Sequence, residues 1–204
     1  KKIEEQKAKK IGPIEIEDIS NPSDFLRLRA ETDSNALKKR FSDDTIHRKN
    51  LPSNNSSKSL YNIAEKIRYE ALGGRMLKGI EKNFRENYLQ IINQKRKDQF
   101  KTKEDVPVAE AFELYMLKHF HNIELNDLTI RMLSLWEKDF DQSIEQHKKY
   151  LMDNLEDQNS YSSKFSQILN EMNIFPSESD NEKEQENQDQ GQDNPSNDDE
   201  NKDN

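Results

Sequence analysis

SKSLYNIAEKIRYEALGGRMLKGIEKNFRENYLQII, residues 57–92, is the stretch that decides the fold. Leu60, Ile63, Ala64, Ile67 and Ala71 fall at i, i+3, i+4, i+7 and i+11, one face of a 3.6-residue period. Gly73 and Gly74 follow. Each glycine costs a helix interior about 1 kcal/mol against alanine, so a kink or break is expected there. The face resumes with Leu77, Ile80, Phe84, Tyr88 and Ile91 or Ile92.

Working outward, Pro52 to Ser57 reads as a polar loop. Asp33 to Phe41 reads as a short helix, with Asp33 or Ser34 as cap and Ala36, Leu37 and Phe41 on one side. Before it, Gly12-Pro13 and Asn21-Pro22 break the chain, so residues 1–30 are expected to be poorly ordered. Downstream, Gln94 to Lys103 is basic and polar and reads as a loop. Asp105 as cap and Pro107 in the first turn mark a helix start, with Val108, Ala111, Phe112 and Phe120 inside. Asn126 or Asp127 opens another helix with Leu128, Met132 and Phe140. Ile144, Leu151 and Leu155 continue it or form a separate piece. Ser162 or Ser163 is the expected cap of a last helix holding Phe165, Ile168, Leu169 and Met172, and Pro176 ends it. No run of alternating β-branched residues marks a strand. The expected fold is an all-α bundle of about four to six helices over residues 31–175.

The formal net charge of −8 is unevenly placed. Ser177 to Asn204 carry 11 acids against two lysines, a charge of −9, and no aliphatic or aromatic side chain. The other 176 residues balance 30 basic against 29 acidic side chains. Residues 176–204 cannot bury enough apolar surface to offset ordering entropy, so a disordered acidic tail is expected. The balanced body argues against nucleic-acid binding, which needs clustered basic excess. No apolar stretch is long enough to span a membrane, and no secretory signal is visible, so a cytoplasmic location is expected. With no cysteine, disulfides, thiol catalysis and cysteine-ligated metals are excluded. The chain opens on Lys1, as a fragment or processed product would.

Little in the sequence points to chemistry. His119 and His121 form an HxH pair, but residues two apart on a helix point about 200° apart, so a surface pair at a helix end is the expectation. Glu65 with Glu70, and Glu110 with Glu113, read as solvated helix faces rather than acid/base couples. No GxxxxGK[ST] phosphate loop occurs. The least generic segment sets Arg68, Glu70 and Arg75 around Gly73 and Gly74. It suits either a kinked helix with local ion pairs or a packing and partner-contact point.

RYEALGGRMLKGIEKNF (Arg68–Phe84) resembles a signature of the CobT-type subunit of aerobic cobaltochelatase. EDVPVAEAFELYMLKHF (Glu104–Phe120), Leu135-Trp136, and ETDSNALKKRF (Glu31–Phe41) followed by His47 are similar to further stretches of that family, in the same order. The resemblance covers about residues 29–175, with Met76 one place earlier than in the family pattern. It implies a role in cobalamin biosynthesis. In that family an AAA+ ATPase subunit hydrolyses ATP with magnesium, and a large subunit binds the corrin. The CobT-type subunit joins the ATPase in a ring-like complex that inserts cobalt into hydrogenobyrinic acid a,c-diamide. This chain then holds no cofactor and no catalytic or metal-binding residue of its own. The family's von Willebrand A-like half has no counterpart here, and the acidic tail resembles the start of the linker that precedes it. The rival expectation is a small helical metal-handling or adaptor protein unrelated to corrins, using the HxH pair and the acidic tail.

Overall fold

A computed structural model describes residues 21–95 and 102–172, which contain nine α-helices and no strand. They are α1 (Pro22–Phe41), α2 (Asp44–Asn50), α3 (Asn55–Met76), α4 (Lys78–Gln94), α5 (Val108–Phe120), α6 (Asp127–Ser134), α7 (Glu137–Ile144), α8 (Lys148–Asp153) and α9 (Gln158–Glu171). The expected all-α bundle is present. It is cut into more pieces than periodicity separates, because the region after Asn126 turns sharply between short helices. The expected acidic tail lies outside the described residues.

Helix α3 is the spine, packing against α1, α4, α5 and α9. Its sequence suggests one apolar face, yet from Ala64 to Gly74 nearly every residue is buried, Lys66 being the half-exposed exception. A helix buried all round is normally apolar all round. This one instead carries Glu65, Arg68 and Glu70 into the core. Beyond α3, Phe112 meets Phe140 and Phe165 edge to face at 5.5 and 6.0 Å, the geometry aromatic quadrupoles favour.

The expected start of α1 moves from Asp33 to Pro22. Asn21, read as a chain break, is the cap: its side chain accepts from the Ser23 N–H, and Pro22 occupies the first turn. Residues 22–30 are therefore helical, and residues 1–20 of the segment expected to be poorly ordered lie outside the described residues. Helix α3 runs unbroken through Gly73 and Gly74 and ends at Leu77, whose extended backbone both closes α3 and opens α4. Tertiary packing outweighs the glycine penalty here. A Cβ on Gly73 would lie 2.3 Å from Leu37 Cδ1, so the missing side chain makes room for α1. Asp105 does not cap α5: it ends the short 3₁₀ turn Lys103–Asp105, where its carboxylate accepts the N–H of the cap residue Thr102, and Pro107 takes the cap position of α5. The last helix is capped by Asp157, not by Ser162 or Ser163, and Ser162 lies fully buried inside it.

Candidate functional site

Arg68 and Glu70, two apart on α3, point to opposite sides of it. Arg68 is fully buried and faces the junction of α1, α2 and α9. It donates to the Leu155 carbonyl at 3.0 Å, to the Phe41 carbonyl at 2.6 Å and to Ser42 Oγ at 3.2 Å. Its Nε lies 3.4 Å from Glu65 Oε2. Glu65 also accepts from Ser162 Oγ at 2.6 Å and Gln158 Nε2 at 3.2 Å. Gln158 closes the ring by accepting the Asp43 N–H at 2.6 Å. The expectation of a solvated Glu65 is corrected: this carboxylate is buried because donors from α3 and α9 meet it there. The set is a staple, joining segments distant in sequence through one guanidinium.

Glu70 is corrected likewise. It is 1% exposed and sits between α1 and α4. Its Oε1 accepts from Ser34 Oγ at 2.5 Å and its Oε2 from the Tyr88 hydroxyl at 2.6 Å. Burial raises the Glu70 carboxyl above its ordinary range, with the Lys66 ammonium pulling the other way. Burial likewise holds the Tyr88 phenol well above its usual value and pushes Tyr69 to about 12. Beside these groups a cleft of about 270 Å³ opens to solvent, lined among others by Ser34, Lys66, Tyr69, Glu70, Asn87 and Tyr88. Asn87 Oδ1 is buried there with no hydrogen-bond partner.

The glycines serve packing within the chain. Gly73 receives Leu37 of α1, and Gly74 lets α4 pass with Glu81 Cβ 3.4 Å from where its own Cβ would stand. Arg75 is exposed at the end of α3, with Nη1 3.4 Å from the Met152 carbonyl. The five residues singled out thus do not converge. Arg68 belongs to the staple, Glu70 to the cleft, and Gly73 and Gly74 to helix packing. Arg75 belongs to an exposed corner, where Met76 and Leu77 are 55% and 56% exposed. Leu77, expected on the inner face of α4, is instead the hinge residue that turns outward.

The segment Arg68–Phe84 is therefore the spine and corner of the fold, and comparison with known families matches the chain as a whole. A model of the family described as "Cobalamin biosynthesis protein CobT" matches residues 7–204. The chain belongs to the CobT family. That places it in cobalamin biosynthesis, and the match extends beyond residues 29–175 through the acidic tail. No curated protein and no solved structure matches the chain.

In this CobT chain the HxH pair is split. His119 lies against Tyr115, with ring centroids 4.4 Å apart and the planes tilted by 51°, and faces Lys148. His121 turns inward to Phe84 and Tyr88, with Nε2 4.0 Å from Glu70 Oε2. It was expected at the surface, but Asn122 at φ 51° wraps the chain back so that the Ile123 N–H returns to the Leu117 carbonyl. Burial holds the His121 imidazole neutral, pushing its pKa down to about 4. No group of three or more His, Asp or Glu side chains among the described residues is placed to hold a metal. None of the described helices is long and apolar enough to cross a membrane. Of the cleft cluster, the sequence marks Tyr88 as an inner-face residue, Ser34 as a helix cap and His121 as surface, and gives no sign of Asn87. For the staple the one signal is a second α3 stripe, Tyr61, Glu65, Arg68 and Leu72 at i, i+4, i+7 and i+11, which sets charges between apolar residues.

Proposed function

We propose that the chain is the amino-terminal helical part of the CobT-type subunit of an ATP-dependent cobaltochelatase, acting in the cytoplasm as a non-catalytic docking module. An AAA+ ATPase subunit assembles with it in an oligomeric ring, and a large subunit holds the corrin. ATP hydrolysis then drives cobalt into hydrogenobyrinic acid a,c-diamide. ATP and magnesium belong to the ATPase and cobalt is substrate, so this chain needs no cofactor of its own. Residues 176–204 are the start of an acidic linker.

The observation that carries this reading is the family match over residues 7–204. The corner between α3 and α4 supports it as a contact surface. Met76 and Leu77 expose large apolar side chains between the exposed cations Arg75 and Lys78, a mixture suited to protein contact. The metal-handling reading is weaker, because His119 and His121 face different neighbours.

Co-elution of the full chain with the ATPase and large chelatase subunits of its own organism tests the proposal. The wild-type chain is expected to co-elute with the ATPase. Met76→Glu with Leu77→Glu is expected to abolish this while leaving the thermal melt unchanged. If the wild-type chain retains neither subunit, the docking role is wrong.

A further inference from the structure

The cleft between α1, α3 and α4 has more acceptor capacity than the fold uses. Asn87 is 9% exposed, and its Oδ1 has no hydrogen-bond partner. A buried acceptor left unpaired is costly, and any N–H donor entering the cleft relieves it. Glu70 adds a buried carboxylate whose hydrogen-bond donors, Ser34 and Tyr88, are both neutral hydroxyls. An ionised carboxylate has about four lone-pair sites, and these hydroxyls occupy two.

No lysine or arginine among the described residues forms an ion pair with Glu70. Lys66, the cation at the cleft, lies 3.8 Å from Glu113 Oε1 and 5.4 Å from the Tyr88 ring centroid. His121 comes to 4.0 Å but is held neutral by burial, so it brings no positive charge. The walls include the rings of Tyr69, Phe84 and Tyr88, and aromatic faces attract cations. A buried carboxyl that a neighbouring cation would hold ionised, an unpaired acceptor and aromatic walls all favour the same guest, and Lys66 at the mouth competes with it.

We infer that this cleft binds a protonated nitrogen group, an ammonium or guanidinium, through Asn87 Oδ1 and the Glu70 carboxylate. The group comes either from a free amine or from a lysine or arginine side chain of a partner. The site does not depend on which assembly the chain joins.

Titration of the full ¹⁵N-labelled chain near neutral pH tests this with three probes. Agmatine supplies a free guanidinium on a chain that also carries an ammonium, butylurea a neutral mimic of the guanidinium end without that amine, and a capped Leu-Arg-Leu peptide the guanidinium on a backbone. Agmatine is expected to shift the Asn87 side-chain amide and the Ser34 signals saturably, and butylurea is not. Asn87→Ala and Glu70→Gln are each expected to weaken binding about tenfold or more. Lys66→Met, at a half-exposed position, is expected to tighten it severalfold by removing the competing cation. A peptide that binds about tenfold more tightly than agmatine assigns the group to a partner side chain, and the reverse order assigns it to a free amine. The inference is overturned if agmatine gives no saturable shift up to about 10 mM, well above a millimolar Kd. It is equally overturned if butylurea binds as well, if a folded Asn87→Ala binds like wild type, or if Lys66→Met leaves affinity unchanged or lower.

Discussion

Glu65 and Glu70 lie five residues apart on α3, and both are almost wholly buried, yet their surroundings differ. Glu65 faces a guanidinium, an amide and a hydroxyl, and no side-chain atom of its network is left unpaired. Glu70 meets only hydroxyls, beside a cleft and a neutral histidine, with Asn87 Oδ1 and His121 Nε2 unpaired nearby. A saturated polar network locks elements together, whereas an unsaturated one leaves capacity for something else. The first serves the fold, and the second is where binding chemistry remains available.

The sharpest way to break this contrast is Arg68→Ala. It strands Glu65 without its cation in the core and is expected to cost about 3–5 kcal/mol in chemical denaturation. Next in size is acid sensitivity through His121. Burial holds its folded pKa at about 4, below the ordinary histidine value of 6.5, so the unfolded chain binds the extra proton first and stability falls as pH drops through that window. Glu70, with its pKa raised, acts in the opposite sense: its contribution is present below 4.5 and lost as pH rises through the folded value. In a Glu70→Gln background, which removes that opposing slope, His121→Phe is therefore expected to flatten the loss by roughly 3 kcal/mol between neutral pH and pH 4. An unchanged pH profile means His121 is not buried as described.

Smaller effects come from the glycines. Gly73→Ala drives a methyl into buried Leu37, and overpacking of about 1–3 kcal/mol outweighs the helical gain of about 1 kcal/mol. A net loss of about 1 kcal/mol is expected, and Leu37→Ala in the same chain should couple with it non-additively. Gly74→Ala meets only ordinary contact with Glu81 and is expected to be neutral or stabilising by up to about 1 kcal/mol. Smallest of all, Glu70→Gln is expected to change stability at neutral pH by less than about 1 kcal/mol, since the amide oxygen still accepts from one hydroxyl, the amide NH2 can donate to the other, and no charge need be buried. If it costs as much as Arg68→Ala, the two carboxylates are equally structural and the contrast fails.

Much of the fold was legible along the chain. The periodicities over Leu60–Ala71 and Val108–Phe120 mark α3 and α5, and Asn126 caps α6 as its side chain suggests. The errors cluster where distant segments decide. Two glycines read as a break remain helical because Leu37, far away in sequence, fills the space beside Gly73. Asn21-Pro22 reads equally well as a breaker or as a cap with a first-turn proline, and only the packing of α1 against α3 and α4 selects the cap. Of the candidate site, Arg68 and Glu70 stood out by sequence, but their partners Ser34, Tyr88 and Leu155 lie up to 87 residues away. No local pattern announces them.

Composition, helical period and capping residues are properties of neighbours in the chain. They were enough for an all-α body, an acidic tail and the family resemblance. Whether a charged residue on α3 faces water or the core is settled by what packs over it, and that is non-local. Only the assembled helices made Glu65 part of a staple, left Glu70 at the edge of a cleft, and turned His121 inward. Desolvation and hydrogen bonding act on the environment that folding creates, which the order of residues along α3 does not contain.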